Sequence, residues 1–87
     1  MNNERRKAIS ALQEKLGALV GQLEELLADA EAIRDEEQEY FDNMPESFQQ
    51  GEKGSAAEEA ISALDDLVSE IENAKDAIET KAQEEFQ

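Results

Sequence analysis

A regular alternation of three and four residues separates the apolar side chains in the first half of the chain. The series continues to Met44 and is interrupted only at Glu37; its members before that point are Ile9, Leu12, Leu16, Leu19, Leu23, Leu26, Ala30 and Ile33, followed by Tyr40. This spacing predicts one continuous apolar stripe along a single long helix. A lone helix cannot bury such a stripe in water, so the chain is expected to fold back on itself or to bind another chain.

Two helices are predicted from the stop and start signals along the chain. The first is expected over about residues 3–41, because no proline interrupts it before Pro45. Ser55-Ala56-Ala57-Glu58 is typical of a capping box, which predicts a second helix over about residues 56–84. The second apolar series is Ala57, Ile61, Leu64, Leu67, Val68, Ile71, Ala74, Ile78 and Ala82. Residues 42–55 are expected to connect the helices, with one short helical turn at residues 45–50.

The two apolar series predict an all-α fold, with residues 1–87 forming a single domain. The expected architecture is an antiparallel two-helix hairpin, similar to a coiled coil. Matching the two stripes gives a definite register, in which Leu19 lies near Ile78, Leu26 near Ile71 and Ile33 near Leu64.

Four apolar residues beside the two stripes indicate that the hairpin needs a further partner. Val20 and Leu27 flank the first stripe, and Ile61 and Val68 flank the second. A narrow seam between two helices would leave these four residues exposed, whereas a bundle of three or four helices requires a wider apolar face. We therefore expect them to form the interface of a homodimer, a four-helix bundle, or else to contact a different protein.

Gly17 and Gly21 form a small-xxx-small pair within the first helix, on the side away from the main stripe. Each glycine costs the helix about 1 kcal/mol relative to alanine. A close helix contact at an oligomer interface would explain the pair. The alternative is that both are tolerated surface glycines.

The composition excludes most catalytic and metal-binding chemistry. The chain contains no cysteine and no histidine, which removes disulfides, zinc fingers, thiol nucleophiles and imidazole bases. It also contains neither a calcium-binding loop nor a glycine-rich phosphate loop. We therefore expect a protein that is not an enzyme and binds neither a cofactor nor a specific metal ion. No apolar run approaches the roughly 18 residues of a membrane span, so a cytoplasmic location is expected.

The net charge of −15 is the strongest functional signal in the composition. It argues against direct binding of nucleic acid, whose partners need a basic surface, and favours a protein partner with a basic surface. Residues 29–46 carry eight acids and one arginine, and residues 58–79 carry eight acids and one lysine. Either this charge only keeps the protein soluble, or its density mimics DNA. The candidate binding acids are Asp35, Glu36, Glu37, Glu39, Asp42, Glu46, Asp65 and Asp66.

Three aromatic residues, Tyr40, Phe41 and Phe48, lie in the sequence beside the densest acids. In a small protein such residues usually close the end of the core. If they are exposed, an aromatic anchor surrounded by carboxylates would form a binding hot spot for a basic target.

A stretch near the middle of the chain resembles a known class of proteins. It is Glu37-Gln38-Glu39-Tyr40-Phe41-Asp42-Asn43-Met44-Pro45-Glu46, followed by Gly51-Glu52-Lys53-Gly54. This stretch is similar to small acidic helical proteins of unassigned role encoded by bacteriophages and prophages. The resemblance implies a phage or bacterial origin, an inhibitor of a host factor as function, and the bacterial host cytoplasm as location. It brings no catalytic residues.

These observations together predict a non-enzymatic acidic protein-binding module. Its specific form would be a phage-encoded inhibitor of a host nucleic-acid-binding or defence protein, acting by DNA mimicry. Two alternatives remain open. One is a homo-oligomeric structural or assembly protein whose charge only confers solubility, and the other is an adaptor that pairs its helices with those of a partner.

Overall fold

The computed structural model describes residues 2–84, with side chains described up to residue 82. These residues form three helices and no strand: α1 spans Asn3–Asp42, α2 spans Glu46–Gln49 and α3 spans Glu52–Glu84. The all-α prediction is confirmed. The absence of proline and the abundance of alanine, leucine and glutamate explain the length of α1 and α3.

The ends of α1 are satisfied by polar side chains. The Oδ1 atom of Asn2 accepts a hydrogen bond of 2.8 Å from the backbone N–H of Arg5, which caps the first turn. At the other end, Gln49 Nε2 donates to the carbonyl of Phe41 at 3.0 Å. The helix ends within one residue of the predicted position, because Asn43 and Pro45 lead the chain into a turn.

Three polar contacts define how α1 and α3 lie against each other. Gln13 Nε2 donates to the carbonyl of Ala82 at 3.2 Å, while Lys75 Nζ lies 4.0 Å from Glu24 Oε1. Arg34 Nη1 lies 3.2 Å from Asp65 Oδ1. Residue numbers therefore rise along α1 as they fall along α3, which means that the helices are antiparallel. The molecule is a rod of 68 × 15 × 14 Å.

α3 begins four residues before the position that the sequence predicted. Ser55 does not cap it, because the backbone N–H of Ser55 already donates to the carbonyl of Gly51 at 3.0 Å. The connection is therefore residues 43–51, and it contains the short helix α2 at nearly the predicted place. The capping-box interpretation is wrong, because α3 already includes Glu52 and Lys53, which precede Ser55 in the chain.

Gly54 explains why the first turn of α3 can lie so close to α2. It is buried, and a Cβ added to it would overlap the backbone carbonyl of Gln49 and stand 2.6 Å from the Gln49 Cα. Only a residue without a side chain permits this approach. The glycine therefore determines how the loop end of the molecule closes.

The seam between α1 and α3 differs from the predicted one by one column of side chains. Ile9, Leu16, Leu23 and Ala30 lie in the seam as expected. The column that completes it on α1, here called the inner column, is Gln13, Val20, Leu27, Arg34 and Phe41. The predicted column of Leu12, Leu19, Leu26, Ile33 and Tyr40 is exposed instead. Both columns fit the 3–4 spacing, so spacing alone could not distinguish them.

The expectation that Val20, Leu27, Ile61 and Val68 are exposed is therefore wrong. Val68 is buried and the other three are partly buried within the intramolecular seam. They occupy alternating seam positions of their helices, and the facing helix covers them. Val20, Leu27 and Ile61 keep part of their surface accessible, and their place in a dimer interface stays a prediction.

The core that results is small. Among the described residues, the buried apolar side chains are Ala30, Ala57 and Val68, and no large side chain is fully buried. Two helices can cover only one narrow seam, so most apolar side chains remain partly accessible to water.

Candidate functional site

Among the described residues, most of the large apolar side chains that are exposed lie on one side of the rod. On α1 this surface is the exposed stripe, which we define as Leu12, Leu19, Leu26, Ile33 and Tyr40; each of these side chains is between 39% and 54% exposed. Their seven-residue spacing places them on one face of α1. The register set by the Arg34–Asp65 and Glu24–Lys75 contacts places Leu67 of α3, which is 48% exposed, opposite Ile33.

The opposite side of the seam is polar. Arg34 and Lys75 have seam positions, but their charged ends extend outward to carboxylates. Arg34 contacts Asp35 and Asp65 at 3.3 and 3.2 Å, and Lys75 lies 4.0 Å from both Glu24 and Glu79. These ion pairs therefore lie on the side of the helix pair opposite the exposed stripe.

The predicted binding acids concentrate at the loop end of the rod, and most of them are exposed. Glu36, Glu39 and Asp42 on α1 are open to solvent, as are Glu46 on α2 and Asp66 on α3. We call the loop end with its carboxylates the acidic end. Its exposed carboxylates could face a basic surface without a change in backbone structure.

Three of the predicted acids have a different environment. Asp35 and Asp65 are exposed, but both bind Arg34, whose side chain is 27% exposed. The hydrogen bond with Asp35 raises the pKa of the Arg34 guanidinium above its ordinary value, and Asp65 contributes in the same direction. Glu37 is half-buried at a seam position, where it interrupts the apolar contacts.

The aromatic residues at the acidic end divide into covered and exposed ones. Phe41 is partly buried in the inner column, whereas Tyr40 and Phe48 are 52% and 51% exposed. Tyr40 and Phe48 border an open cavity of about 350 Å³ that Met44 and Pro45 also line. Lys53 Nζ lies 5.9 Å from the centre of the Phe48 ring, within range of a cation–π contact. Asn43 and Lys53 complete the lining, which contains none of the predicted binding acids.

Gly17 and Gly21 make no close helix contact within the molecule. A Cβ added to either glycine would meet no atom within 4 Å apart from its own helix backbone and chain neighbours. Gly17 borders a groove of about 260 Å³ between α1 and α3, near Val20 and Glu79. The intramolecular packing therefore does not require glycine at either position.

Within the part of the chain that the structure describes, no three carboxylates converge as metal ligands would. None of the described helices is long and apolar enough to cross a membrane.

The sequence analysis missed two features of this site. The first is the exposed stripe, which the 3–4 spacing placed in the seam. The second is the contact of Gly54 with Gln49, which shapes the loop end. Gly51 and Gly54, which follow Pro45 in the connection, were the available signal for this contact, since glycine often marks a close backbone approach.

Comparison with known proteins found no relative of this chain. No family model, no curated protein and no solved structure matches it. The functional argument therefore depends on the chain's own geometry and charge.

Proposed function

We propose that this chain is a non-enzymatic protein-binding module whose acidic end occupies a basic surface on another protein. The observation that carries the proposal is the exposure of Tyr40 and Phe48 around a cavity at the most acidic part of the molecule. Exposed aromatic side chains commonly anchor protein interfaces, and the surrounding charge provides orientation and a fast association rate.

The proposed target is a host nucleic-acid-binding or defence protein, with this chain as a phage-encoded inhibitor. A surface that normally binds phosphates is basic, and the acidic end would compete for it. Residues 29–42 of α1 carry seven acids and one arginine, a net charge of −6, over roughly 20 Å of helix. B-DNA carries about twelve charges over that length, so the density here is about half that of DNA. An apolar side chain of the target would enter the cavity beside Phe48.

A capture experiment with two charge-matched variants tests the proposal. The immobilised chain is incubated with bacterial lysate at low and high salt, and the bound proteins are identified by mass spectrometry. One variant neutralises exposed acids at the acidic end (E36Q, E39Q, E46Q and D66N). The control neutralises four exposed acids elsewhere (E14Q, E70Q, E72Q and D76N).

Capture of a nucleic-acid-binding protein at low salt, lost in the acidic-end variant and kept in the control, would support the proposal. Equal capture by the wild type and the acidic-end variant would refute it. Equal loss in both variants would also refute it, because the capture would then depend on net charge alone.

The exposed stripe supports a second candidate, a homo-oligomeric structural protein in which two helix pairs form a four-helix bundle. In that case the charge serves only solubility. An adaptor that binds helices of another protein through the same stripe is the third candidate. Both predict assembly that persists at high salt, in contrast to the acidic-end mechanism.

A further inference from the structure

We propose that the exposed stripe is the docking surface for a second copy of this chain, packed antiparallel to the first. The two copies would place their stripes together and form a four-helix bundle with twofold symmetry. This inference does not rest on the acidic-end proposal, although Tyr40 belongs to both surfaces, so that a second copy and a basic target would compete for it.

The choice of seam is the first argument. The chain has two columns that fit a helix seam beside Ile9, Leu16, Leu23 and Ala30. The inner column contains Gln13 and Arg34, whereas every member of the exposed stripe is leucine, isoleucine or tyrosine. A helix that buries its less apolar column against α3 and leaves the more apolar one exposed has the surface of a bundle helix. In a four-helix bundle both columns are covered.

The size of the apolar surface is the second argument. The stripe extends about 42 Å along α1, from the rise per residue of a helix. A compact monomer of this mass would expose about 5,100 Å², whereas this chain exposes 6559 Å². Half-exposed side chains along the stripe, with Leu67, amount to roughly 500 Å² per copy, and neighbouring residues would add to it. The interface would thus approach the roughly 800 Å² per partner of stable complexes.

The distribution of charge is the third argument, and it selects the orientation. Residues 1–16 carry a net charge of +2, whereas residues 29–46 carry −7. A parallel dimer would set the two acidic ends side by side. An antiparallel dimer sets the basic start of α1 in each copy beside the acidic end of the other, so that like charges are separated.

Twofold symmetry then gives the pairing along the stripe. The stripe is centred on Leu26, so Leu26 meets Leu26 of the second copy, while Leu19 meets Ile33 and Leu12 meets Tyr40. Arg5, seven residues before Leu12 on the same face of α1, then lies towards the acidic end of the other copy. Gly17 and Gly21 lie away from this interface and have no part in it.

Sedimentation of three chains tests the docking surface. The wild type is expected to be a dimer at micromolar concentration. The stripe variant (L26Q, I33Q and L67Q) is expected to associate at least about 100-fold more weakly, because each side chain loses apolar burial in both copies. The control (A18Q, A28Q and A32Q) changes three exposed alanines on other faces of α1 and should remain a dimer. Circular dichroism checks that each variant stays helical.

Salt provides a second readout that separates this inference from the acidic-end proposal. Because each copy has a net charge of −15, screening should strengthen the dimer, whereas it should weaken binding to a basic protein. A wild type that is monomeric up to 200 μM at both low and high salt would overturn the inference. So would a stripe variant that dimerises as tightly as the wild type.

Cysteine cross-linking tests the orientation, since the natural chain contains no cysteine. Under mild oxidation, L26C should form a disulfide-linked dimer, because the two Leu26 positions meet at the symmetry axis. L12C alone should not, while an equal mixture of L12C and Y40C should form the mixed dimer. Cross-linking of L12C with itself would refute the antiparallel arrangement. If L26C formed no disulfide with itself and was shielded from oxidation only when another protein was added, the stripe would bind a different helical partner. That result would overturn the inference.

Discussion

Gly54→Ala should destabilise the protein even though alanine is the better helix former. Gly54 lies inside α3 with helical backbone angles, so on propensity alone the substitution would stabilise the helix by about 1 kcal/mol. The new Cβ, however, would overlap the backbone carbonyl of Gln49 and stand 2.6 Å from its Cα. A backbone atom cannot rotate away as a side chain can, so α2 must shift as a unit.

The shift of α2 determines the expected magnitude. Overpacking of this kind costs about 1–3 kcal/mol, and the movement also threatens the hydrogen bond from Gln49 to Phe41, worth about 1 kcal/mol. After subtraction of the helix-propensity gain of about 1 kcal/mol, we expect a net loss of about 1–3 kcal/mol. For a chain of this size that corresponds to a fall in Tm of roughly 4–24 °C.

Thermal unfolding followed by circular dichroism at one fixed protein concentration measures the effect. Gly21→Ala is the matched control, since its Cβ would meet nothing within 4 Å and the same substitution should raise the Tm. The fluorescence of Tyr40, the single tyrosine, reports separately on the loop end. A Gly54→Ala protein with a Tm equal to or above that of the wild type would refute the close packing of α2 on α3.

Three further substitutions probe other parts of the molecule. Glu37→Leu should stabilise the protein by about 1 kcal/mol in urea unfolding, because it continues the seam at a half-buried position; destabilisation would contradict that placement. Gly17→Ala should stabilise by up to about 1 kcal/mol, and a loss of stability would reveal an intermolecular contact there. Asp65→Asn should change the unfolding free energy by less than about 1 kcal/mol, because its pair with Arg34 is largely exposed; a double-mutant cycle with Arg34→Met isolates this contact, and a coupling energy well above 1 kcal/mol would be the contrary result.

Local chemistry accounts for the parts of the fold that the sequence predicted well. Proline and asparagine stop a helix through their own backbone preferences, so the end of α1 and the position of α2 were readable within a residue or two. The start of α3 could not be predicted in the same way, because the capping-box pattern at Ser55 is equally compatible with a helix interior. Only the contact of Gly54 with α2 shows where the chain turns back.

The candidate site was predictable to the extent that it depends on composition. The number and clustering of the acids follow from the residues themselves, and their exposure follows because an unpaired carboxylate is costly to bury. Which acids bind Arg34 was not predictable, because Asp35 is its chain neighbour but Asp65 reaches it only through the pairing of the helices.

The sequence by itself determined that the chain forms two long helices with a continuous apolar face and an acidic surface. These properties follow from residue types and from the 3.6-residue helical period. The tertiary structure decided which column of apolar residues packs inside. The two columns differ by a rotation of the helix about its axis, and both satisfy the same 3–4 spacing. That rotation depends on how the side chains of α1 and α3 fit together, and it leaves Leu19, Leu26 and Ile33 on the surface.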